Sequence, residues 1–198
     1  MRSKARLLVL LAISVAPAFA QDESPAAVIE SAVSLFAEKM DGRHDELAAD
    51  PAALYALIDE ILLPRFDRKF AAQLVMAKHW RVADEIQRER FIEAFYQALL
   101  QRYADGLLEF DQERVSVLPF RGDISKPRAK VKSTVVLNDG TKVAVDYELV
   151  KRDVGWLLFN VVIEGVSYIR NFRAELDSEI RSSSLDAVIE RLEGEAGI

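Results

Sequence analysis

Nucleophilic, redox and metal chemistry depend on residue types that this sequence largely lacks. The chain contains no cysteine and only two histidines, His44 and His79. A thiol nucleophile, a disulfide scaffold and a thiolate zinc site are therefore excluded, and a multi-histidine metal site nearly so. His79 has no acidic or nucleophilic partner at a readable spacing, which favours a structural imidazole. Gly165-Val166-Ser167 lacks both the preceding Gly-x and the downstream histidine of a serine hydrolase.

Carboxylates are the remaining candidates for catalysis. The chain has 32 Asp and Glu residues, so that no chosen pair carries weight as a general acid and base. A small isomerase or hydratase would need Asp146 or Glu164 as a base inside a cavity, with its pKa raised by burial. Asp146 alternates with apolar residues and is expected on the outer face of a strand. We therefore predict that the protein is not an enzyme and uses neither a metal nor another cofactor.

The charge pattern gives little indication of a polyanionic partner. The 26 basic and 32 acidic residues give a formal charge of −6 and are interspersed. A dense cationic face, as nucleic-acid binding requires, is not visible. Lys126, Arg128, Lys130 and Lys132 form a local basic run near a predicted sheet edge, where such residues discourage edge-to-edge pairing. The alternative is contact with anionic headgroups or an acidic partner surface.

The first twenty residues have the pattern of an export signal. A cationic start precedes a short apolar run and a small-x-small cleavage pattern: Arg2, Lys4 and Arg6, then Leu7–Val15, then Ala18-Phe19-Ala20. A retained membrane anchor is the alternative, but the run is shorter than the about 20 apolar residues that a bilayer requires. We predict a cleaved signal peptide over residues 1–20 and a single exported domain over residues 21–198.

Helical and β-type periodicities divide the rest of the chain. Helices are predicted from Ser24-Pro25 to about Lys39, from Asp50-Pro51 to Pro64, from Asp67, over 85–108, over 167–181 and from Ser184. The apolar arc of the helix over 85–108 is wider than one core-facing stripe. This width predicts burial between other helices and a sheet, with the lining of an apolar cavity as the alternative.

Four β-rich segments lie between these helical parts, over 115–119, 129–137, 142–150 and 156–164. Asn138-Asp139-Gly140 and Asp153-Val154-Gly155 are turn signals between consecutive segments. We predict one α+β domain, in which helices pack on a twisted, roughly four-stranded antiparallel sheet. In each strand, the alternate residues that point toward the helices are apolar. This pattern is compatible with a lipid-sized slot under the helices. Pattern alone favours an ordinary filled core.

Short motifs along the mature chain occur together in one order. They are Leu62–Asp67 with Trp80-Arg81, Arg88 with Phe91 and Phe95, Leu99-Leu100 with Tyr103, Asp146-Tyr147, Gly155-Trp156, Val162–Ser167, Asn171–Arg173 and Ser184–Ile189. Jointly they resemble the MlaC family, the toluene-tolerance proteins that bind phospholipid in the periplasm. Two positions depart from the family pattern. Ala77 stands where glycine is frequent, and Phe172 where tyrosine is usual; both keep apolar bulk.

The resemblance implies both a fold and a function. It implies helices on a twisted antiparallel sheet that encloses a deep apolar pocket. It also implies a periplasmic carrier of phospholipid between an outer-membrane lipoprotein–porin complex and an inner-membrane ABC transporter with an MCE-domain subunit, maintaining outer-membrane lipid asymmetry. A soluble shuttle of this kind is most simply a monomer. The alternatives from other classes are the enzyme described above and an adaptor that binds only proteins.

The residues that would line the pocket follow from the predicted sheet and helices. We expect Val131, Val135, Val143, Val145, Tyr147, Leu149, Phe159, Val161 and Ile163 from the sheet, Phe95, Leu99, Leu100 and Tyr103 from the long helix, and Phe172 from the helix after the sheet.

Overall fold

The computed structural model describes residues 24–108, 111–137 and 139–197. The predicted signal peptide over residues 1–20 lies outside the described residues, as does Asn138 of the predicted turn. Among the residues described, no helix combines the length and the apolar character needed to cross a bilayer.

Helices form the first half of the chain and its last thirty residues or so. Their bounds are α1 Pro25–Met40, α2 His44–Ala49, α3 Pro51–Leu62, α4 Arg68–Met76, α5 His79–Val82, α6 Glu85–Leu108, α7 Tyr168–Ser182 and α8 Leu185–Ala196. The predicted caps are present. Asp67 Oδ1 accepts the Phe70 N–H at 2.9 Å, and Asp84 with Gln87 forms a reciprocal capping box at α6.

Two short helices were not predicted. The sequence predicts no helix between Lys39 and Asp50, yet α2 lies there at His44–Ala49. The single turn of α5, His79–Val82, likewise lies between the helix predicted from Asp67 and the one predicted over 85–108. Short helices of this kind lack enough residues for an apolar periodicity to show.

The sheet is antiparallel throughout, with its strands in chain order. The bounds are β1 Val115–Val117, β2 Arg128–Val136, β3 Lys142–Arg152, β4 Gly155–Ile163 and β5 Val166–Ser167. The predicted α+β architecture is confirmed, with the two-residue strand β5 as an addition. A tight turn joins β4 to β5, in which both Glu164 (φ 49°) and Gly165 (φ 79°) have positive φ.

A β-bulge changes which residues of β4 face the helices. The register between β3 and β4 shifts at Glu148/Leu149, so that Tyr147 pairs with Val161 and Leu149 pairs with Leu158. Beyond the bulge, Trp156 packs under α1, and the inward set continues through Leu158 rather than Leu157. The alternation of the predicted inward residues Phe159, Val161 and Ile163 therefore does not continue to this end of the strand.

Helix α6 separates two apolar clusters, as the width of its apolar arc predicted. Phe91 and Phe95 pack with α4, α7 and α8, whereas Tyr96 and Leu100 pack with α1, α2 and α3. The chain between α3 and α4 closes part of the free edge of β4, because the Asp67 N–H donates to the Leu158 carbonyl at 2.8 Å. The helices are thus fixed over the sheet around α6 and at this edge.

Candidate functional site

Two adjoining cavities lie between the sheet and the helices. The first, here called the large chamber, has a volume of about 940 Å³. The second, the small chamber, has a volume of about 460 Å³. Interiors of proteins are normally close-packed, with few voids larger than a water molecule. Spaces of this size are therefore built into the fold and are within the range of ligand sites.

The large chamber lies between α1, α3 and the inward face of β2 and β3. Its lining is predominantly aliphatic and consists of Ile29, Ala32, Val33, Phe36, Ile58, Ile61, Leu62, Gly106, Leu107, Asp111, Arg114, Val115, Val135, Val136, Leu137, Asp139, Val143, Val145, Tyr147, Leu158 and Ile163. Gly106, Leu137 and Asp139 are exposed, and they mark where this chamber reaches solvent.

The small chamber lies between α6, α7 and β4, and its lining is richer in aromatic side chains. It consists of Ile58, Leu62, Phe66, Phe95, Tyr96, Leu99, Leu100, Tyr103, Ala104, Leu107, Val145, Tyr147, Leu158, Phe159, Asn160, Val161, Ile163, Tyr168, Ile169 and Phe172. Phe95 packs edge-on against Phe172, with ring centroids 5.3 Å apart. This pair belongs to the cluster with α4 and α8, which therefore forms a solid wall behind the chamber.

Most residues expected to line a pocket lie at one chamber or the other. Val135 and Val143 line the large chamber, Val145, Tyr147 and Ile163 line both, and the small chamber takes Phe95, Leu99, Leu100, Tyr103, Phe159, Val161 and Phe172.

Val131 and Leu149 are the corrections to that expectation. Both are completely buried, and they pack with Trp156 against the start of α1 at Ala26 and Ile29. At the end of the sheet that contains the bulge and Trp156, α1 packs directly on the strands. The side chains of Val131 and Leu149 are therefore part of the core and line neither chamber.

Sequence reasoning missed the contributions of α1 and α3. Val33, Phe36, Ile58 and Ile61 belong to apolar stripes that the sequence shows clearly. A stripe of this kind indicates which face of a helix is buried, but it carries no signal that distinguishes a cavity from a packed core.

Within the described residues, charged side chains line the large chamber alone. Asp111 and Arg114 form an ion pair at 3.1 Å. Asp139 Oδ1 accepts the backbone N–H of Thr141 at 2.9 Å, and this hydrogen bond lowers the pKa of Asp139 below its ordinary value. A general base would need a raised pKa, so Asp139 is poorly suited to that role.

The two carboxylates considered for catalysis point elsewhere. Asp146 lies outside both linings and pairs with Lys130 at 3.4 Å on the outer face of the sheet, as its parity predicted. Glu164 also lies outside both linings, and its carboxylate accepts the backbone N–H of Ala144. Within the described part of the chain, no group of three or more His, Asp or Glu side chains could hold a metal ion.

His79 has an acidic partner that its sequence neighbourhood does not reveal. Its Nε2 lies 2.8 Å from Asp177 Oδ1, across 98 positions of the chain. Lys78 reaches the same oxygen at 2.7 Å, and these two contacts lower the pKa of Asp177 to about 2. The cluster joins α5 to α7 away from both chambers, which agrees with a structural imidazole.

Polar contacts behind the lining fix the walls of the small chamber. The Tyr96 hydroxyl donates to Asp59 Oδ1 at 2.6 Å, and this bond links α6 to α3. Arg68 lies 5.2 Å above the same ring and pairs with Glu93 at 2.8 Å. Burial, together with the bond to Asp59, raises the pKa of Tyr96. The wall is thus held by a neutral phenol whose hydroxyl is already satisfied by the protein.

Comparison with known families agrees with this geometry. A family model described as "MlaC protein" matches residues 30–194. The chain belongs to the MlaC family. This match covers α3 to α7 completely, together with the whole sheet, and therefore all the elements that form the small chamber.

Individual relatives agree with the family assignment. The toluene tolerance protein ttg2D of Pseudomonas putida is 29% identical over 87% of this chain and 81% of its own length. The intermembrane phospholipid transport system binding protein MlaC of Haemophilus influenzae is 19% identical over 95% of this chain and 89% of its own.

A solved structure has the same fold. It is that of the phospholipid-binding protein from Ralstonia solanacearum in complex with a phospholipid. It superposes with a TM-score of 0.77 at 24% identity, over 87% of this chain and 96% of that chain.

Proposed function

We propose that this protein binds phospholipid and carries it through an aqueous compartment, with the acyl chains in the two chambers. The observation that carries the proposal is the pair of adjoining apolar cavities, of about 940 and 460 Å³, beneath the helices of the MlaC fold. The names of the Haemophilus influenzae relative and the Ralstonia solanacearum structure, a transport-system binding protein and a phospholipid complex, support this ligand.

The hydrophobic effect gives the reason for such a carrier. Each methylene exposed to water costs about 0.8 kcal/mol, so a sixteen-carbon chain costs on the order of 12 kcal/mol. Two chains together reach or exceed the practical ceiling of non-covalent affinity, about 20 kcal/mol. A dry slot of aliphatic and aromatic side chains recovers most of this free energy. Transfer between a bilayer and the slot is then nearly balanced and needs no covalent chemistry.

We also propose where the carrier acts. The pattern of residues 1–20 supports export to the periplasm and removal of a signal peptide, which leaves a domain over residues 21–198. In that compartment the protein would pass lipid between an outer-membrane lipoprotein–porin complex and an inner-membrane ABC transporter with an MCE-domain subunit, and so maintain outer-membrane lipid asymmetry. Mass spectrometry of the protein from a periplasmic extract tests the first step. An intact N-terminus beginning at Met1 contradicts it.

The binding proposal is tested at a residue that both chambers share. Val145 is 7% exposed and lines both cavities, so Val145→Trp fills the space where they meet. We expect the wild-type protein, purified without detergent, to carry two-chain lipid in native mass spectrometry and Val145→Trp to lose most of it. Val82 is 81% exposed and outside both linings, so Val82→Trp is the matched control and should keep its lipid.

Circular dichroism and thermal unfolding of each variant separate loss of lipid from loss of fold. A wild-type protein without lipid, or a folded Val145→Trp variant with unchanged lipid, contradicts the proposal. The first of these outcomes favours a protein-only adaptor. Turnover of a substrate that disappears on removal of one carboxylate would instead favour an enzyme.

A further inference from the structure

We propose that the two chambers divide the acyl chains of one phospholipid, one chain to each, and that the small chamber limits the length of the chain it receives. This inference rests on the proposed function and adds to it a site for each chain. The observations that support it are the volumes of the two chambers and the residues that line each of them.

The chambers have separate walls and meet along a limited set of residues. The large chamber is walled by α1 through Ala32, Val33 and Phe36 and reaches only the last turn of α6, whereas the small chamber is walled by the preceding turns of α6 and by α7. Residues common to both linings are Ile58, Leu62, Leu107, Val145, Tyr147, Leu158 and Ile163. These shared residues belong to both the helices and the sheet, and they form the boundary between the two chambers.

Charge assigns the headgroup end of the lipid to the large chamber. Asp111, Arg114 and Asp139 are in its lining, and the exposed residues Gly106 and Leu137 open it to solvent. Among the described residues, the small chamber is lined by no charged side chain. A charged headgroup is costly to bury, so it stays at the large chamber's opening, with one chain below it.

The polar amide in the small chamber is already committed to the protein. The Asn160 amide nitrogen donates to Glu148 Oε2 at 2.8 Å, and its oxygen accepts the Ile169 N–H at 3.1 Å. This side chain therefore caps α7 and is not available to recognise a headgroup or an ester. The small chamber is suited to hydrocarbon.

The far wall of the small chamber is rigid. Phe95 stacks on Phe91 with centroids 5.6 Å apart and packs edge-on against Phe172. All three rings are nearly or completely buried in the cluster of α4, α6, α7 and α8. A longer chain could extend toward this wall only by separating these rings, which would disrupt close packing. The small chamber, with about 460 Å³ or half the volume of its neighbour, is thus limited on this side by packed aromatic rings.

Two valines allow a matched test. Val33 lines only the large chamber and Val161 only the small one, and both side chains are half-buried. The same substitution, Val33→Trp or Val161→Trp, therefore narrows one chamber at a time, and Val82→Trp narrows neither. The probes are three synthetic phosphatidylcholines that compete in native mass spectrometry: dipalmitoyl, palmitoyl–octanoyl and the single-chain lysopalmitoyl lipid.

We expect Val161→Trp to shift the preference from dipalmitoyl toward palmitoyl–octanoyl lipid by about ten-fold, the effect of exposing roughly two methylenes. Val33→Trp should shift it by less than about two-fold, because the large chamber has room to spare. If Val161→Trp does not fold, Leu99→Trp narrows the same chamber from α6 and should give the same shift.

The outcomes distinguish this inference from the proposed function. Equal shifts in Val33→Trp and Val161→Trp, or no shift in either, overturn the division of chains while leaving phospholipid binding intact. A wild-type protein that takes none of the three lipids overturns the proposed function itself.

Discussion

The two ends of the sheet present the same kind of apolar face to the helices, but the space between sheet and helices is filled at one end and open at the other. At one end Val131 and Leu149 pack with Trp156 directly beneath the start of α1. At the other end Val135 and Val143 face an open chamber. The inward residues are aliphatic in both places, so hydrophobicity alone does not decide which end is hollow. The decision lies in how closely the helical layer approaches the sheet.

The packed end is closed by a pairing of large and small side chains. Trp156 fills the width of the gap, and Ala26 allows the first turn of α1 to come close to the strands. Further along the same helix, Ala32 and Val33 line the large chamber, and the rings of Phe36 and Tyr147 border this space without filling it. A cavity therefore remains where the side chains of the two layers do not meet, over an otherwise ordinary apolar face.

The comparison is tested most strongly by the same substitution at both ends of β2. Val131→Ala removes two methyl groups from a completely buried site and creates a new void, which should lower the free energy of unfolding by about 2 kcal/mol. Val135→Ala enlarges a chamber that is already open and should cost less than about 1 kcal/mol. Urea unfolding measures both. Equal losses would show that the two ends are packed alike.

Much of the fold follows from the sequence because its signals are local. Capping residues such as Asp67 and Ser184, the period of the strands and the broad arc of α6 all have physical meaning within a few residues. The long-range features are different in kind. The partner of His79 is Asp177, and the bulge at Glu148 depends on how two strands pair. Neither can be read from spacing along the chain.

The chambers were predictable only in part, for the same reason. The alternation of residues along the strands correctly placed Val135, Val143 and Val145 on the inward face of the sheet. The distance from that face to the helices, however, is set by tertiary packing. Leu149 shares their parity and is core. The family resemblance supplied the expectation of a pocket, and pattern alone favoured a filled interior.

A substitution outside both ends should change stability without changing lipid. Ala77, at the end of α4, has φ 48° and ψ −109°, a conformation that costs an L-residue of order 1 kcal/mol or more. Ala77→Gly should raise the free energy of unfolding by about 1 kcal/mol, after the added entropy of the unfolded glycine is subtracted. Thermal unfolding and native mass spectrometry measure the two quantities on one sample. Destabilisation would contradict the strain assigned to Ala77, whereas altered lipid content would show that this turn is coupled to the chambers.

The smallest effect is expected from the ion cluster that joins α5 to α7. Contacts with Lys78 and His79 lower the pKa of Asp177 to about 2, below its ordinary value of 3.8. A carboxylate with a lowered pKa in the folded state stabilises the fold above its unfolded pKa, and that contribution is lost as the pH falls from about 4 to 2. Asp177→Asn removes the carboxylate, so the unfolding midpoint of this variant should depend less on pH over that window than the wild-type midpoint does.

Asp153 in the exposed β3–β4 turn provides the control, since Asp153→Asn changes the same charge away from the cluster. The difference at neutral pH should be small, because ion pairs near the surface contribute little. Lipid content should be the same in both variants and in the wild type, since Asp177 lies outside both linings. Lipid released from Asp177→Asn alone would mean that the position of α7, and with it Phe172 on the wall of the small chamber, depends on this cluster. Lipid binding in the small chamber would then depend on a contact that lies outside the lining of both chambers.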